Sequence, residues 1–298
     1  MGYWGSVKFF RHLILVTLLM TTVILCSLCL NLIFKKDIIM VKSTSNIKKT
    51  AENSVSIKQT RPSESENAVE QPQSLFVYKN KYKELYAEPV EEKELINGNI
   101  YLTFDDGPSR YTSAFLDILK KHQVHATFFV VGTNVEKNFD IVRRMHKEGH
   151  VIAVHTYSHR YRDIYSDVDS YLSDFKKTDD AICKVTGKRS TIFRFPGGSI
   201  NIFNYRIYTE LSAEMLRRGY RYFDWNISAG DATKKITRAS IVTNVVDNVG
   251  RDRPNIVLMH DTSELSLQSL EKIIVSLKMK NYVFSTLQKN SRPLTFTR

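Results

Sequence analysis

The sequence predicts an α/β fold, a distorted or incomplete (β/α) barrel of about seven units, preceded by a transmembrane helix and a flexible tether. Three observations lead there. From Gly98 onward, short β-rich runs alternate with amphipathic helical stretches, the pattern of parallel strands covered by helices. The alternation fills roughly 200 residues, less than the ~250 of a complete eight-unit barrel. Ahead of it stands one long apolar run, followed by a polar stretch without periodicity.

Residues 1–12 form a short cytoplasmic tail ahead of the apolar run. Leu13–Phe34 (LILVTLLMTTVILCSLCLNLIF) is 22 consecutive uncharged, mostly apolar residues. At 1.5 Å per residue that is about 33 Å of helix, long enough to cross a bilayer. No A-x-A pattern follows it, and neither Cys26 nor Cys29 follows the small residue of a lipoprotein signal, so an uncleaved anchor is expected. Lys8 and Arg11 on one side face Lys35 and Lys36 on the other, so charge barely decides orientation. Residues 35–96 are rich in Ser, Asn, Gln, Lys and Glu and carry too few bulky side chains for a core. They read as a linker, with 74–95 as a short helix or an ordered lead-in. Residues 97–290 hold the strand-like runs NIYLTF, HATFFVV, HVIAVH, TIFRF, YRYFDWN, NIVLMH and YVFSTL, each followed or preceded by a helical stretch. Residues 291–298 read as a tail.

Composition excludes some classes. The net charge of +12 is spread along the chain with no basic block, so no nucleic-acid partner is expected. Three cysteines, two of them in the apolar run, cannot build a disulfide framework. Cys183 reads as a small apolar helix residue.

Four polar clusters each follow an apolar strand-like run: TFDDGP at 103–108, HTYSH at 155–159, RFPGG at 194–198 and MHD at 259–261. Barrels gather their chemistry at the carboxyl ends of the strands, where these clusters fall. Singly, each has a structural explanation, such as a turn cap before Gly-Pro or a hydrogen-bonded histidine. Together they supply metal-assisted hydrolysis. His155 and His159, with a carboxylate from Asp105 or Asp106, can converge on one divalent cation and leave positions open for water and substrate. A two-His, one-carboxylate iron oxygenase is the competing chemistry. Such sites usually set the second histidine far from the first, whereas here both stand in one five-residue motif.

On these motifs, residues 97–290 resemble the polysaccharide deacetylase (NodB-homology) family, carbohydrate esterases that remove N- or O-acetyl groups from sugars. The resemblance implies Asp105 as general base, Asp106, His155 and His159 as metal ligands, and Arg194 orienting the base. It implies Pro196 and Gly197 as backbone near an oxyanion hole, His260 as general acid, Trp225 as a pocket wall, and Asp231 behind the acid. Asp224 is the rival for the last role. RFPGG stands where many members have R-P-P-Y-G, and Ala232 where many have a second Trp. The implied cofactor is one divalent metal ion, zinc first, with cobalt, manganese or nickel also suited to the donor set.

Peptidoglycan N-acetylglucosamine is the preferred substrate, because a tether with a random-coil span of ~40–50 Å on a membrane anchor reaches the polymer just outside. N-acetylmuramic acid, chitin oligomers, xylan and exopolysaccharide are alternatives. The expected protein is a monomer, single-pass in the cell membrane, with its catalytic domain extracytoplasmic. A wall-binding module that had lost activity would show a substituted base, ligand or acid, and all five positions are intact.

Overall fold

The computed structural model describes residues 77–296. The apolar run at 13–34 and most of the linker lie outside them. Among the described residues no helix is long and apolar enough to cross a membrane.

Eight short strands form one sheet: β1 (Ile100–Asp105), β2 (Thr127–Val130), β3 (Val151–Val154), β4 (Ile192–Phe193), β5 (Arg221–Tyr222), β6 (Ile227–Ser228), β7 (Asn255–His260) and β8 (Phe284–Ser285). Every pairing is parallel, and the order is β5-β4-β3-β2-β1-β7-β6 with β8 beside the first half of β1. The helices are α1 (Thr112–Lys121), α2 (Gly132–Lys137), α3 (Phe139–Lys147), α4 (Tyr161–Ile164), α5 (Val168–Thr186), α6 (Tyr208–Arg217), α7 (Arg238–Val246) and α8 (Glu264–Met279).

A strand covered on both faces reads as an unbroken apolar run, and all six residues of β1 are buried. The period of two then assigns the faces. Ile100, Leu102 and Phe104 join the helix-side core, where Phe104 meets Phe115 and Phe128 at 5.1 Å between ring centroids. Tyr101 belongs to a second cluster on the inner face with Phe129, Ala153, Ile192, Phe223 and Ile256. Thr103 and Asp105 share that inner face. Asp105 is therefore directed into the curved sheet by the same alternation that packs Phe104 outward.

The run YRYFDWN, expected as one strand, contributes β5 at one edge of the sheet, and β6 follows at the opposite edge. Only residues 223–226 join the two, so the sheet curls almost into a barrel whose edge strands share no ladder. The seam leaves carbonyls without strand partners, and a buried carbonyl needs a donor. Arg194, with 0% of its surface exposed, supplies two: Nε donates to Phe223 O at 2.7 Å and Nη2 to Asp224 O at 3.0 Å.

The described residues on either side of 97–290, 77–96 and 291–296, are also built onto this sheet. Among the described residues the lead-in, 77–95, contains turns and no helix. It is held by Arg218, whose buried guanidinium donates to the carbonyls of Tyr78, Lys81 and Tyr82 at 2.8–2.9 Å. Lys93 pairs with Ser291 in an isolated bridge, and Phe296 N–H donates to Asp224 at 2.6 Å. Such polar attachments carry no periodicity, so the sequence places these residues in a linker and a tail.

Candidate active site

The motifs singled out in the sequence emerge together at the carboxyl ends of the strands. Asp105 closes β1 and His260 closes β7, and the two are direct partners in the β1/β7 register. His155 follows β3, Arg194 follows β4, Trp225 lies in the seam and Asp231 follows β6.

Asp106, His155 and His159 offer three ligand atoms within 4.8 Å of one another. Asp106 Oδ1 is 3.1 Å from His159 Nε2 and 3.4 Å from His155 Nε2. Tetrahedral ligands with bonds of ~2.0–2.2 Å stand ~3.3 Å apart, so this spacing suits a shared first-row cation. The donor chemistry agrees. His155 Nδ1 lies 2.9 Å from Arg194 O, and a carbonyl only accepts, so that nitrogen carries a proton and Nε2 is the atom turned toward Asp106. Asp106 Oδ1 is itself buried without a hydrogen-bond partner. Burial opposes its ionisation, but His155 beside it, then the charges of His159 and His260, hold the carboxyl well below the usual range. Burial and His155 lower the pKa of His159, against the pull of Asp106 and Asp105, which favours the neutral ligand form.

Asp105 is 3% exposed and accepts from Arg194 Nη1 at 2.8 Å, while the same nitrogen donates to Thr103 Oγ1 at 2.8 Å. The guanidinium also lies 4.2 Å from the Phe129 ring centroid and 5.6 Å from that of Trp225. Anchored on the seam carbonyls, it fixes the Asp105 carboxylate beside the cluster of Asp106, His155 and His159.

His260 Nδ1 is 2.9 Å from Asp231 Oδ1, and its backbone N–H donates to Asp231 Oδ2 at 2.7 Å. Burial lowers the His260 pKa, but the Asp231 hydrogen bond and charge, with Asp105 and Asp106 beyond, raise it to about 9. Asp224 is engaged elsewhere, accepting from Ser199 N–H at 2.8 Å and from the Phe296 amide. Asp261, the last residue of MHD, is fully buried and accepts from Thr112 Oγ1 at 2.6 Å. Burial first, and the charge of Asp106, push its carboxyl up to about 7. Gly107 is required above it, since a Cβ there would lie 2.1 Å from Asp261 Oδ2.

The HTYSH loop is wound tightly: Thr156 and His159 adopt φ of +64° and +54°, and Asp106 after β1 adopts +74°. Left-handed non-glycine residues cost on the order of 1 kcal/mol or more each and persist only where the surroundings enforce them. Asp174 of α5 does so, accepting from the Tyr157 and Ser158 amides, the latter at 3.2 Å. It stands in a polar helix among other acids, and nothing in the sequence distinguishes it.

On the remaining side, Pro196 is buried and its carbonyl accepts from Tyr165 Oη at 2.8 Å. Gly197 is exposed with φ +77°, and its N–H meets no acceptor among the described residues. Trp225 is half-buried against Phe296, 5.0 Å away and edge-on.

Known proteins resemble this chain in sequence and fold. The family model for polysaccharide deacetylase matches residues 92–216. A peptidoglycan-N-acetylglucosamine deacetylase of Bacillus cereus is 32% identical over 202 residues, 66% of this chain and 72% of that protein. The crystal structure of the catalytic domain of a peptidoglycan N-acetylglucosamine deacetylase from Eubacterium rectale superposes with a TM-score of 0.65 at 36% identity, covering 71% of this chain and 96% of that domain. The peptidoglycan-N-acetylmuramic acid deacetylase PdaC of Bacillus subtilis is 33% identical over 219 residues, 71% of this chain but 44% of that protein.

The chain belongs to the polysaccharide deacetylase family. In this deacetylase the aromatic of the R-P-P-Y-G form is absent at Gly197, and the space is filled from elsewhere. A Cβ at 197 would lie 2.9 Å from Tyr161 Cε1 and 3.1 Å from its hydroxyl. Tyr161 also stands edge-on to His159, 5.3 Å between centroids. Its phenol pKa is raised by burial and by the charges of Asp106 and Asp105. Tyr161 stands two residues after the second histidine, and nothing else in the sequence marks it.

Proposed function

We propose that this deacetylase removes N-acetyl groups from the N-acetylglucosamine of peptidoglycan, giving a free amine and acetate, with one divalent metal ion, zinc first. The observation that carries the reading is the pairing of Asp105 and His260 on neighbouring strands, beside a three-ligand cluster whose Asp106 oxygen is buried without a partner. A cation held by Asp106, His155 and His159 supplies Lewis-acid activation of water and of the acetyl carbonyl.

The residues divide the proton work. Asp105, fixed by Arg194, accepts the proton of the attacking water. The Gly197 amide donates to the oxyanion that forms on the acetyl oxygen, a contribution of ~3 kcal/mol for one such donor. An amine leaves poorly until protonated, and His260, kept protonated by Asp231, gives its proton to the nitrogen as the C–N bond breaks. Trp225 lines the acetyl side of the pocket.

The similarity to named peptidoglycan deacetylases supports the substrate. The apolar run Leu13–Phe34 supports a membrane anchor, with the catalytic domain outside and the linker as its reach. Incubating the protein and zinc with purified peptidoglycan, digesting to muropeptides and weighing them by mass spectrometry tests the reading. Loss of acetyl from glucosamine is expected; loss from muramic acid would transfer the activity to the neighbouring sugar, and no loss would refute it.

A further inference from the structure

Of the nine large apolar or aromatic side chains exposed among the described residues, three fall within four positions: Ile202 at 88%, Phe203 at 43% and Tyr205 at 66%. Scattered single residues of this kind need no explanation, whereas a cluster does. This one lies on the loop between Gly198 and α6, directly after the RFPGG motif. It is continuous with the site: Phe203 meets Tyr161 edge-on at 5.0 Å, and Tyr161 in turn meets His159 and fills the space over Gly197.

The loop is also fastened. Asn201 and Asn204 bond reciprocally, each backbone N–H donating to the other's side-chain oxygen at 3.0–3.1 Å. Asn201 Nδ2 reaches back to the carbonyls of Pro196 and Gly198 at 3.1 Å, and buried Asn204 donates to Ser199 O at 2.8 Å. Five side-chain hydrogen bonds hold apolar residues in water, where a floppy loop would let them collapse onto the core. Pre-organisation of an apolar, aromatic surface beside a pocket is what a ligand site requires.

We infer that Ile202, Phe203, Tyr205 and Tyr161 form a saccharide platform that takes the pyranose ring next to the one being deacetylated in the same polysaccharide chain. The ring faces suit the C–H face of a pyranose, and the Tyr161 hydroxyl at the inner end marks where that chain enters the site. The inference rests on the polysaccharide reading above and adds to it a preference for longer chains.

The test uses the full-length protein in detergent with zinc, and N-acetylglucosamine monosaccharide and tetrasaccharide as probes. Dissociation constants are measured beside kcat/KM for acetate release, in the wild type, Phe203→Ala and Phe203→Leu. Phe203→Ala is expected to raise the tetrasaccharide Kd and KM about fivefold, with a smaller change on the monosaccharide, which has no neighbouring ring; Phe203→Leu should follow it in part. Equal losses on both lengths would make Phe203 a prop for the loop and overturn the inference, as would a Phe203→Ala protein that matches wild type. Lost binding to anionic phospholipid vesicles with both saccharides unaffected would also overturn it and assign the patch to a membrane. A wild type that binds the tetrasaccharide more tightly than the monosaccharide, yet releases no acetate, would sink the deacetylase reading and leave the platform standing.

Discussion

Two histidines bracket strand β3, one at each end, and their surroundings give them opposite work. His150 and His155 are both buried, 6% and 2% exposed. His150 Nδ1 accepts the Ala126 amide at 3.2 Å, and the ring packs edge-on against Phe128 and His125. His155 has its Nδ1 proton tied to a carbonyl, so Nε2 is aimed at a carboxylate. Burial, with His125 beside it, lowers the His150 pKa to about 4 and keeps it a neutral packing group. What separates a ligand from a packing residue is therefore which ring nitrogen is already engaged, and at which end of the strand. In a barrel the carboxyl ends carry chemistry and the opposite ends carry stability.

The largest effects belong to the carboxyl end. His155→Ala and His159→Ala are each expected to lose most bound metal and nearly all activity. Asp105→Asn should retain the metal and still lose turnover ~10²–10⁴-fold, because an amide cannot take the proton. Metal analysis beside acetate release checks both. Full activity in Asp105→Asn would remove it as the base and make the difference between the two ends of the sheet one of metal binding alone.

His260→Ala should keep its metal and hydrolyse an N-acetyl sugar ~10²–10⁴-fold more slowly, with a much smaller loss on an activated aryl acetate whose leaving group needs little protonation. Asp231→Asn should show the same selectivity more weakly. Asp224→Asn acts through Ser199 and the Phe296 amide, so it should depress both substrates alike. Equal losses for His260→Ala on amide and ester would move that residue from proton donor to oxyanion support.

Much of this end was legible in the sequence because strands translate position into geometry. Once TFDD and LMHD are read as strand ends, alternation alone turns Asp105 and His260 inward, and parallel pairing sets them side by side. The barrel's parallel character followed from the same β-then-α rhythm. Loops obey no such rule. Asp174 under the HTYSH loop, Tyr161 over Gly197, and the Asn201–Asn204 fastening join residues by side-chain hydrogen bonds and ring contacts that have no period. The end of β5 inside YRYFDWN, where the seam begins, is hidden because a two-residue strand carries too little pattern to mark its own end.

Asp174→Asn measures how much the loop's fastening is worth. It removes the charge that holds the Tyr157 and Ser158 amides, while leaving the ligands themselves in place. Outer partners of this kind typically change metal affinity 10–100-fold, so a weaker metal Kd is expected, with turnover largely recovered at saturating metal. Unchanged affinity would mean that the left-handed turns at Thr156 and His159 hold without Asp174.

The smallest effect is expected at the opposite end of β3, in His150→Gln. Glutamine keeps an acceptor for the Ala126 amide and does not titrate. In the wild type, an unfolded histidine binds a proton near pH 6.5, whereas folded His150 resists one until about pH 4. Below 6.5 the unfolded chain therefore holds the extra proton. Stability that is fully present above that value, about 3 kcal/mol from this group, drains away as the pH falls through the window to about 4. Denaturant unfolding at pH 7, 5.5 and 4.5 should show the wild type losing stability more steeply than His150→Gln, while both release acetate equally at neutral pH. Parallel stability profiles would place the His150 proton elsewhere, and a loss of acetate release would show that the two ends of the strand are not separate after all.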